Sequence, residues 1–195
     1  MKVDFHVHAS ERSGCAVSGE EEMIRAARAA GLDAIVFTDH HRLVSPMRLS
    51  ELNERYAPFR IYGGVEITTR EGEDCLVFGV QDPLLESTEW PYCELMTFVR
   101  ERGGFVALAH PFRYAPEIRV DLEACPPDGI EVRSRNTPPA READIREIAR
   151  RYGLVMLCNS DAHNVQSVGE YFNEVSELSD GDRQLVERLR TLKNG

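Results

Sequence analysis

Seven short apolar runs constrain the fold more than any other feature: VDFHV, AIVFTD, IYGGVEI, CLVFGV, FVALAH, GIEV and LVMLCNS. Each is rich in Val, Ile, Leu or Phe, and most are apolar on both faces. That is the pattern of strands in a sheet or barrel covered all round by helices. Amphipathic stretches separate most of them. In SGEEEMIRAARAAG, Ser18 can cap a helix, Glu21 completes a capping box and Gly31 ends the turn. Ser45-Pro46 and Thr137-Pro138 are further helix starts, and EWPYCELMTFVRERGG and DRQLVERLRTLKNG show helical spacing.

Strands alternating with helices at this rhythm indicate an α/β protein. One link breaks the rhythm. The seven residues TTREGED between two strands are too few for a parallel crossover, so a hairpin with Gly72 in its turn is expected. At 195 residues, with no repeat, low-complexity tract or linker, the chain reads as a single domain over 1–195. The segment from Val165 onward holds a terminal helix expected on the outside of the sheet, or at a contact between copies.

The net charge of −10 argues against general binding to a nucleic-acid backbone, which needs Lys and Arg to release counterions. Carboxylates gathered in a cleft would instead attract divalent cations. The cysteines at 15, 75, 93, 125 and 158 are odd in number and form no CxxC pair, so they read as reduced thiols without a zinc site. No apolar run approaches a membrane span. The chain opens directly on a strand, so the cytoplasm is the expected location.

The titratable residues fall into a pattern. His6 and His8 end the first strand, Asp39 and His40 the second, Glu66 the third and His110 the fifth; Asp161 and His163 follow the seventh. In barrels and open α/β sheets ligands bind at that edge, where the following loops converge. Residues i and i+2 of a strand share a face, so His6 and His8 can grip one ion, and Asp161 and His163 repeat the arrangement. Imidazole and carboxylate suit Zn, Mn and Fe, and Glu66 has two oxygens with which to bridge neighbouring ions. Two such ions can clamp the attacking and leaving oxygens of a phosphoryl displacement. A single buried His is more often a hydrogen-bonded core residue; it is the set at one edge that points to metal. Asp39 is read as orienting His40 or a nearby loop, His41 as a surface residue, and Glu131 as either a ligand or a brace. Cys15 and Cys158 are given no chemistry.

DFHVH, then FTDH after a helix ending AAGLDAI, then GVEI, AHP and NSDAH closely resemble the PHP family, the polymerase and histidinol phosphatase domains. The resemblance covers about residues 1–165, and the ordered set is specific although each motif alone is weak. It implies a distorted seven-stranded β/α barrel with two or three divalent ions at its C-terminal mouth. His6, His8, Glu66 and Asp161 would surround one ion; Glu66 would bridge to a second held by His110; His40 and His163 would hold a third.

Two departures are visible. Where the family often has a His near the fourth strand, this chain offers EDCLVFG, making Asp74 the nearest substitute and Glu73 a poorer one. Where the family often has Asp or His after HxH, Ser13 stands here, with Glu11 as a compensating carboxylate. Carboxylate at the second site would favour Mn, Fe or Mg over Zn.

The implied activity is hydrolysis of phosphoesters on a small phosphorylated metabolite or nucleotide, by a hydroxide bridging the ions. Arg113 would hold the phosphate, with Arg42, Arg133 and Arg135 less well placed, and His40 or His163 would protonate the leaving oxygen. Competing readings are a nuclease or proofreading module acting on nucleic-acid ends, a partner-binding module, and C–N hydrolysis. The last usually needs a lysine between the metals, and the only lysines are Lys2 and Lys193. The sequence leaves the oligomeric state open.

Overall fold

The computed structural model describes residues 1–87, 89–178 and 180–192. The elements run β1 Lys2–Val7, α1 Glu20–Ala29, β2 Ala34–Phe37, α2 Pro46–Tyr56, β3 Arg60–Thr68, β4 Asp74–Phe78, α3 Tyr92–Glu101, β5 Phe105–Leu108, β6 Gly129–Arg133, α4 Glu142–Tyr152, β7 Val155–Cys158, β8 Asn173–Glu174 and α5 Asp182–Arg190. All seven apolar runs are strands. They lie in one sheet ordered β7-β6-β5-β4-β3-β2-β1-β8, which curls into a nearly closed barrel. β4 is antiparallel to both neighbours, and the β3–β4 hairpin turns at Gly72, whose φ of +86° suits glycine.

The strand count is eight among the described residues, not the expected seven. β8 is a two-residue polar strand antiparallel to β1, with no apolar run to announce it. It lies at the seam. Asn173 Oδ1 accepts from the Cys158 N–H (2.9 Å) and its Nδ2 donates to the Cys158 carbonyl (2.7 Å), so one side chain stands in for a strand partner between β8 and β7. Higher up, Val7 bridges directly to Ala162: the His8 N–H donates to the Ala162 carbonyl (2.9 Å), which draws HVH alongside DAH.

The core has three parts. Val65, Ile67 and Val106 pack under α3 and α4, and Val7, Ile35 and Phe37 pack under α1 and α2. A third cluster fills the barrel: Phe5, Val36, Leu76, Phe78, Phe105 and Leu157, joined by Leu185, Val186 and Leu189 of α5. The terminal helix is therefore not a passenger on the outside. It plugs the barrel at the end away from the strand tips that carry His8 and Asp161, where Asp182 accepts from the Gly63 N–H (3.1 Å) and Arg190 donates to the Gly104 carbonyl (2.8 Å).

Local details correct three other expectations. α1 is capped by Gly19 and Glu22, whose carboxylate accepts from the Gly19 N–H (2.9 Å), rather than by Ser18 and Glu21. Glu21 instead takes Tyr56, Arg48 and Arg55. Ser45 caps α2 as expected, but Pro138 leads into a 3-10 turn, Pro139–Arg141, before α4 starts. Finally, Cys93 and Cys125 form a disulfide with Cα atoms 5.6 Å apart, while Cys15, Cys75 and Cys158 are free. A pairing 32 residues apart leaves no local spacing signal.

Candidate metal centre

The strand VDFHVH would by strict alternation put Phe5 and His6 on opposite faces. The β1–β2 register slips by one residue between Asp4 and Val7. Phe5 thus joins the barrel interior while His6 and His8 converge on the mouth above it. Asp4 supports the other half of the mouth: it accepts from the Ser160 N–H (3.0 Å) and hydroxyl, and burial pushes its carboxyl up to about 6. The next residue, Asp161, has φ +51° and His110 has φ +24°, left-handed conformations that side chains rarely adopt.

Four ligand atoms meet above the plug. His6 Nε2 and His8 Nε2 are 3.0 Å apart, and each lies 3.3 Å from Glu66 Oε2 and 3.3 Å from Asp161 Oδ1. Ligands about 2.0 Å from a tetrahedral ion are about 3.3 Å from one another. Glu66 Oε2 and Asp161 Oδ1 are buried and accept no well-formed hydrogen bond, a costly arrangement unless a cation faces them.

The tautomers fit the same reading. Glu131 Oε1 lies 2.9 Å from His6 Nδ1 and, as a carboxylate, can only accept, so Nδ1 carries a proton and Nε2 is the nitrogen left to meet an ion or a second proton. Ser13 does the same for His8. Its hydroxyl donates to Asp39 Oδ1 (2.7 Å), leaving it to accept from His8 Nδ1 (3.2 Å) and the His40 N–H (3.1 Å). The two Nε2 atoms, 3.0 Å apart, face each other where an ion or a proton would come between them.

Glu66 reaches a second group with its other oxygen. Oε1 is 2.9 Å from His110 Nε2, which is 3.8 Å from Asp74 Oδ2. Because β4 runs opposite to its neighbours, its first residue, Asp74, stands at the same rim as the other strands' last residues. Glu66, Asp74 and His110 form one candidate ligand set. Glu73 points elsewhere, accepting from the Arg119 N–H (3.0 Å).

His40 and His163 flank His8, with ring centroids 4.6 and 4.2 Å from it, and the three form a further candidate set. His8 brings little to a separate ion, since its Nε2 faces the first group and its Nδ1 faces Ser13. Ser13 is committed to Asp39, and Glu11 accepts from the Glu20 N–H (2.9 Å) at the start of α1. Asp39 is not a ligand: it takes the Ala9 N–H, Ser13 and Arg12, each at 2.7 Å.

Burial opposes charge throughout the cluster, yet Asp161, Glu131 and Glu66 hold the His6 ring well above the usual imidazole range. Conversely, despite burial, the histidines hold Glu66 and Asp161 below the carboxylate range, with His6 the largest contributor at each. His163 goes the other way: burial and then His8 push its ring below the usual imidazole range.

At the rim, Arg113 Nη1 lies 3.5 Å from Asp161 Oδ2 and 3.3 Å from His110 Nε2, with its guanidinium over the Tyr114 ring. Arg42, Arg133 and Arg135 are engaged with Glu86, Glu142 and Glu170 at the surface. His41 is half-buried rather than a free surface residue: its Nε2 accepts from the Thr68 N–H (3.3 Å). Lys2 sits over Phe172, and Lys193 lies outside the described residues. Asn136 is a contact that sequence reasoning missed: its Nδ2 donates to Asp161 Oδ2 (2.5 Å). Nothing in SRNTPP distinguishes it from a loop asparagine.

A sequence model of the PHP-associated family matches residues 143–194, which carry most of α4 together with β7, β8 and α5. A protein from Bacteroides vulgatus described as containing a PHP-like metal-dependent phosphoesterase superposes with a TM-score of 0.67 at 23% identity, over 97% of this chain and 63% of that one. The chain has a PHP-type fold. The same PHP-type architecture recurs in a protein from Bifidobacterium adolescentis described as a metal-dependent phosphoesterase (TM-score 0.71, 16% identity, 98% of this chain and 96% of that one). It recurs again in a protein from Chromobacterium violaceum described as an amidohydrolase with bound sulfate (TM-score 0.72, 16% identity, 97% of each chain). Sequence comparison with curated proteins returns no match. No helix among the described residues is long and apolar enough to cross a membrane.

Proposed function

We propose that this chain is a metal-dependent hydrolase of phosphoesters acting on a small phosphorylated metabolite or nucleotide. The observation that carries the reading is the pair of orphaned oxygens, Glu66 Oε2 and Asp161 Oδ1, set at tetrahedral-edge distances from the Nε2 atoms of His6 and His8. His6, His8, Glu66 and Asp161 would hold one ion, and Glu66, Asp74 and His110 a second. Bound divalent ions supply Lewis acidity at the phosphoryl group and lower the pKa of water.

The protein's own groups complete the chemistry. Arg113, the one arginine of the four considered that reaches the ligand cluster, offers a fork to the phosphoryl oxygens and its developing charge. As water's oxygen bonds to phosphorus and the ester P–O bond breaks, the leaving oxygen takes a proton. His40, 31% exposed at the rim, is placed to give it. His163, whose ring stacks on His8 with centroids 4.2 Å apart, is the alternative donor. The carboxylates at the second group favour Mn, Fe or Mg over Zn there.

The neighbour described as an amidohydrolase raises C–N hydrolysis as a second reading. Turnover of p-nitrophenyl phosphate, its bis-ester, single-stranded DNA ends and an amide panel, after reconstitution with Mn or Zn, separates these. The proposal expects turnover of the phosphoesters that is lost in His8→Ala and Asp161→Ala. Unchanged turnover in both variants contradicts it.

A further inference from the structure

We propose that Glu131 is a positioning residue that couples the two metal groups, and that the closing strand β8 sets its geometry. The inference rests on the metal-hydrolase reading above. Glu131 is fully buried. Its Oε1 accepts from His6 Nδ1 (2.9 Å) and from Asn159 Nδ2 (2.7 Å), and its Oε2 accepts from the His110 backbone N–H (2.8 Å). One carboxylate thus grips a ligand from each group: the ring of His6 and the left-handed backbone of His110. With three donors already on its two oxygens, it is a brace rather than a ligand.

The brace is itself braced. Asn159 Oδ1 accepts from the Phe5 N–H (3.2 Å) and from Asn173 Nδ2 (2.8 Å), and Asn173 is the β8 residue that seals the seam against Cys158. A continuous path of buried hydrogen bonds therefore runs from the barrel closure through Asn159 to Glu131, and from there to both ion groups. Because two ligands share one support, loosening it should weaken both ions together; loss of a support that served His6 alone would weaken only the first.

Glu131→Gln tests this with little change in shape. The amide NH2 must face either the His6 and Asn159 donors or the His110 N–H, so one side loses its acceptor and the other keeps only a neutral carbonyl oxygen in place of a charged carboxylate, a weaker hold on both. Co2+ is titrated into metal-stripped full-length wild type and variant, with stoichiometry from calorimetry and ligand geometry from the visible absorption bands. The expected result is two ions in wild type, affinity for both lower by about 10–100-fold in the variant, and shifted bands. Wild-type affinity with unchanged bands, or weakening confined to one ion, overturns the proposal.

Should Glu131→Gln fail to fold, Asn159→Ala keeps the carboxylate but frees it to rotate. It is expected to weaken both ions by a smaller factor, and wild-type binding of both would overturn the proposal. A wild type that takes up no Co2+ overturns the metal reading and this proposal with it. Two ions bound alike by wild type and variants overturn this proposal alone.

Discussion

The amide of Asn173 holds both backbone polar groups of Cys158, accepting from its N–H at 2.9 Å and donating to its carbonyl at 2.7 Å. A side chain here does the work of a strand, because β8 is only two residues long. Replacing Asn173 by Ala strands these groups at the seam, and an unsatisfied buried group costs about 1–3 kcal/mol. Urea denaturation of Asn173→Ala is expected to show a loss in that range; stability equal to wild type would mean that the seam closes without the amide.

The plug at the opposite end makes a contrasting case. Leu189 is fully buried in the barrel-filling cluster, on a helix remote from every ligand atom. Leu189→Ala should cost about 2–5 kcal/mol, as core truncations of leucine do. It should leave metal affinity near wild type in protein that is still folded. Denaturant curves beside a metal titration check both halves, and parallel loss of affinity would contradict the separation of plug from mouth.

Much of this was legible in the sequence because strands and ligands leave local signals. Seven apolar runs became seven strands, and eight candidate ligands, His6, His8, His40, Glu66, Asp74, His110, Asp161 and His163, fall in the mutually close groups at one rim. What stayed hidden depends on partners far away in the chain. Asn159 and Asn173 act through hydrogen bonds to Glu131 and Cys158, α5 enters the barrel because the interior needs filling, and the slip in β1 has no residue type of its own. In the sequence Glu131 is equally a ligand or a brace, and only its three donors, brought from distant segments, make it a brace.

The cysteine pairing gives a third prediction. Closing a loop of this length is worth about 3–4 kcal/mol in the chain-entropy account. Without reductant, denatured protein is expected to present three alkylatable thiols, at Cys15, Cys75 and Cys158, and five after reduction. Five thiols before reduction, measured by mass spectrometry, would contradict the Cys93–Cys125 pairing.

Protons compete with metal at the same atoms, which fixes the sign of the pH dependence. The folded pKa values of His6, His8 and His110 are raised despite burial, because carboxylates surround them. In metal-free protein their contribution is fully present below about pH 6.5, the ordinary imidazole value, and is lost as pH rises through the raised values. His163, with its lowered value, opposes this trend at acid pH. Glu66 and Asp161, held low, contribute above the carboxylate range and lose that contribution in acid. Thermal melts of chelator-treated protein should therefore fall from about pH 6.5 upward, whereas metal-supplemented protein should gain over the same interval as ions replace protons. A metal-free melt that rises with pH in that window contradicts the linkage.

Elemental analysis of protein reconstituted with Mn, Fe or Zn and then desalted tests the central claim most directly. The account predicts at least two divalent ions retained per wild-type chain, and a clear deficit in Asp161→Ala and His8→Ala prepared identically. A folded wild type that retains none, or variants that retain as many as wild type, would contradict it.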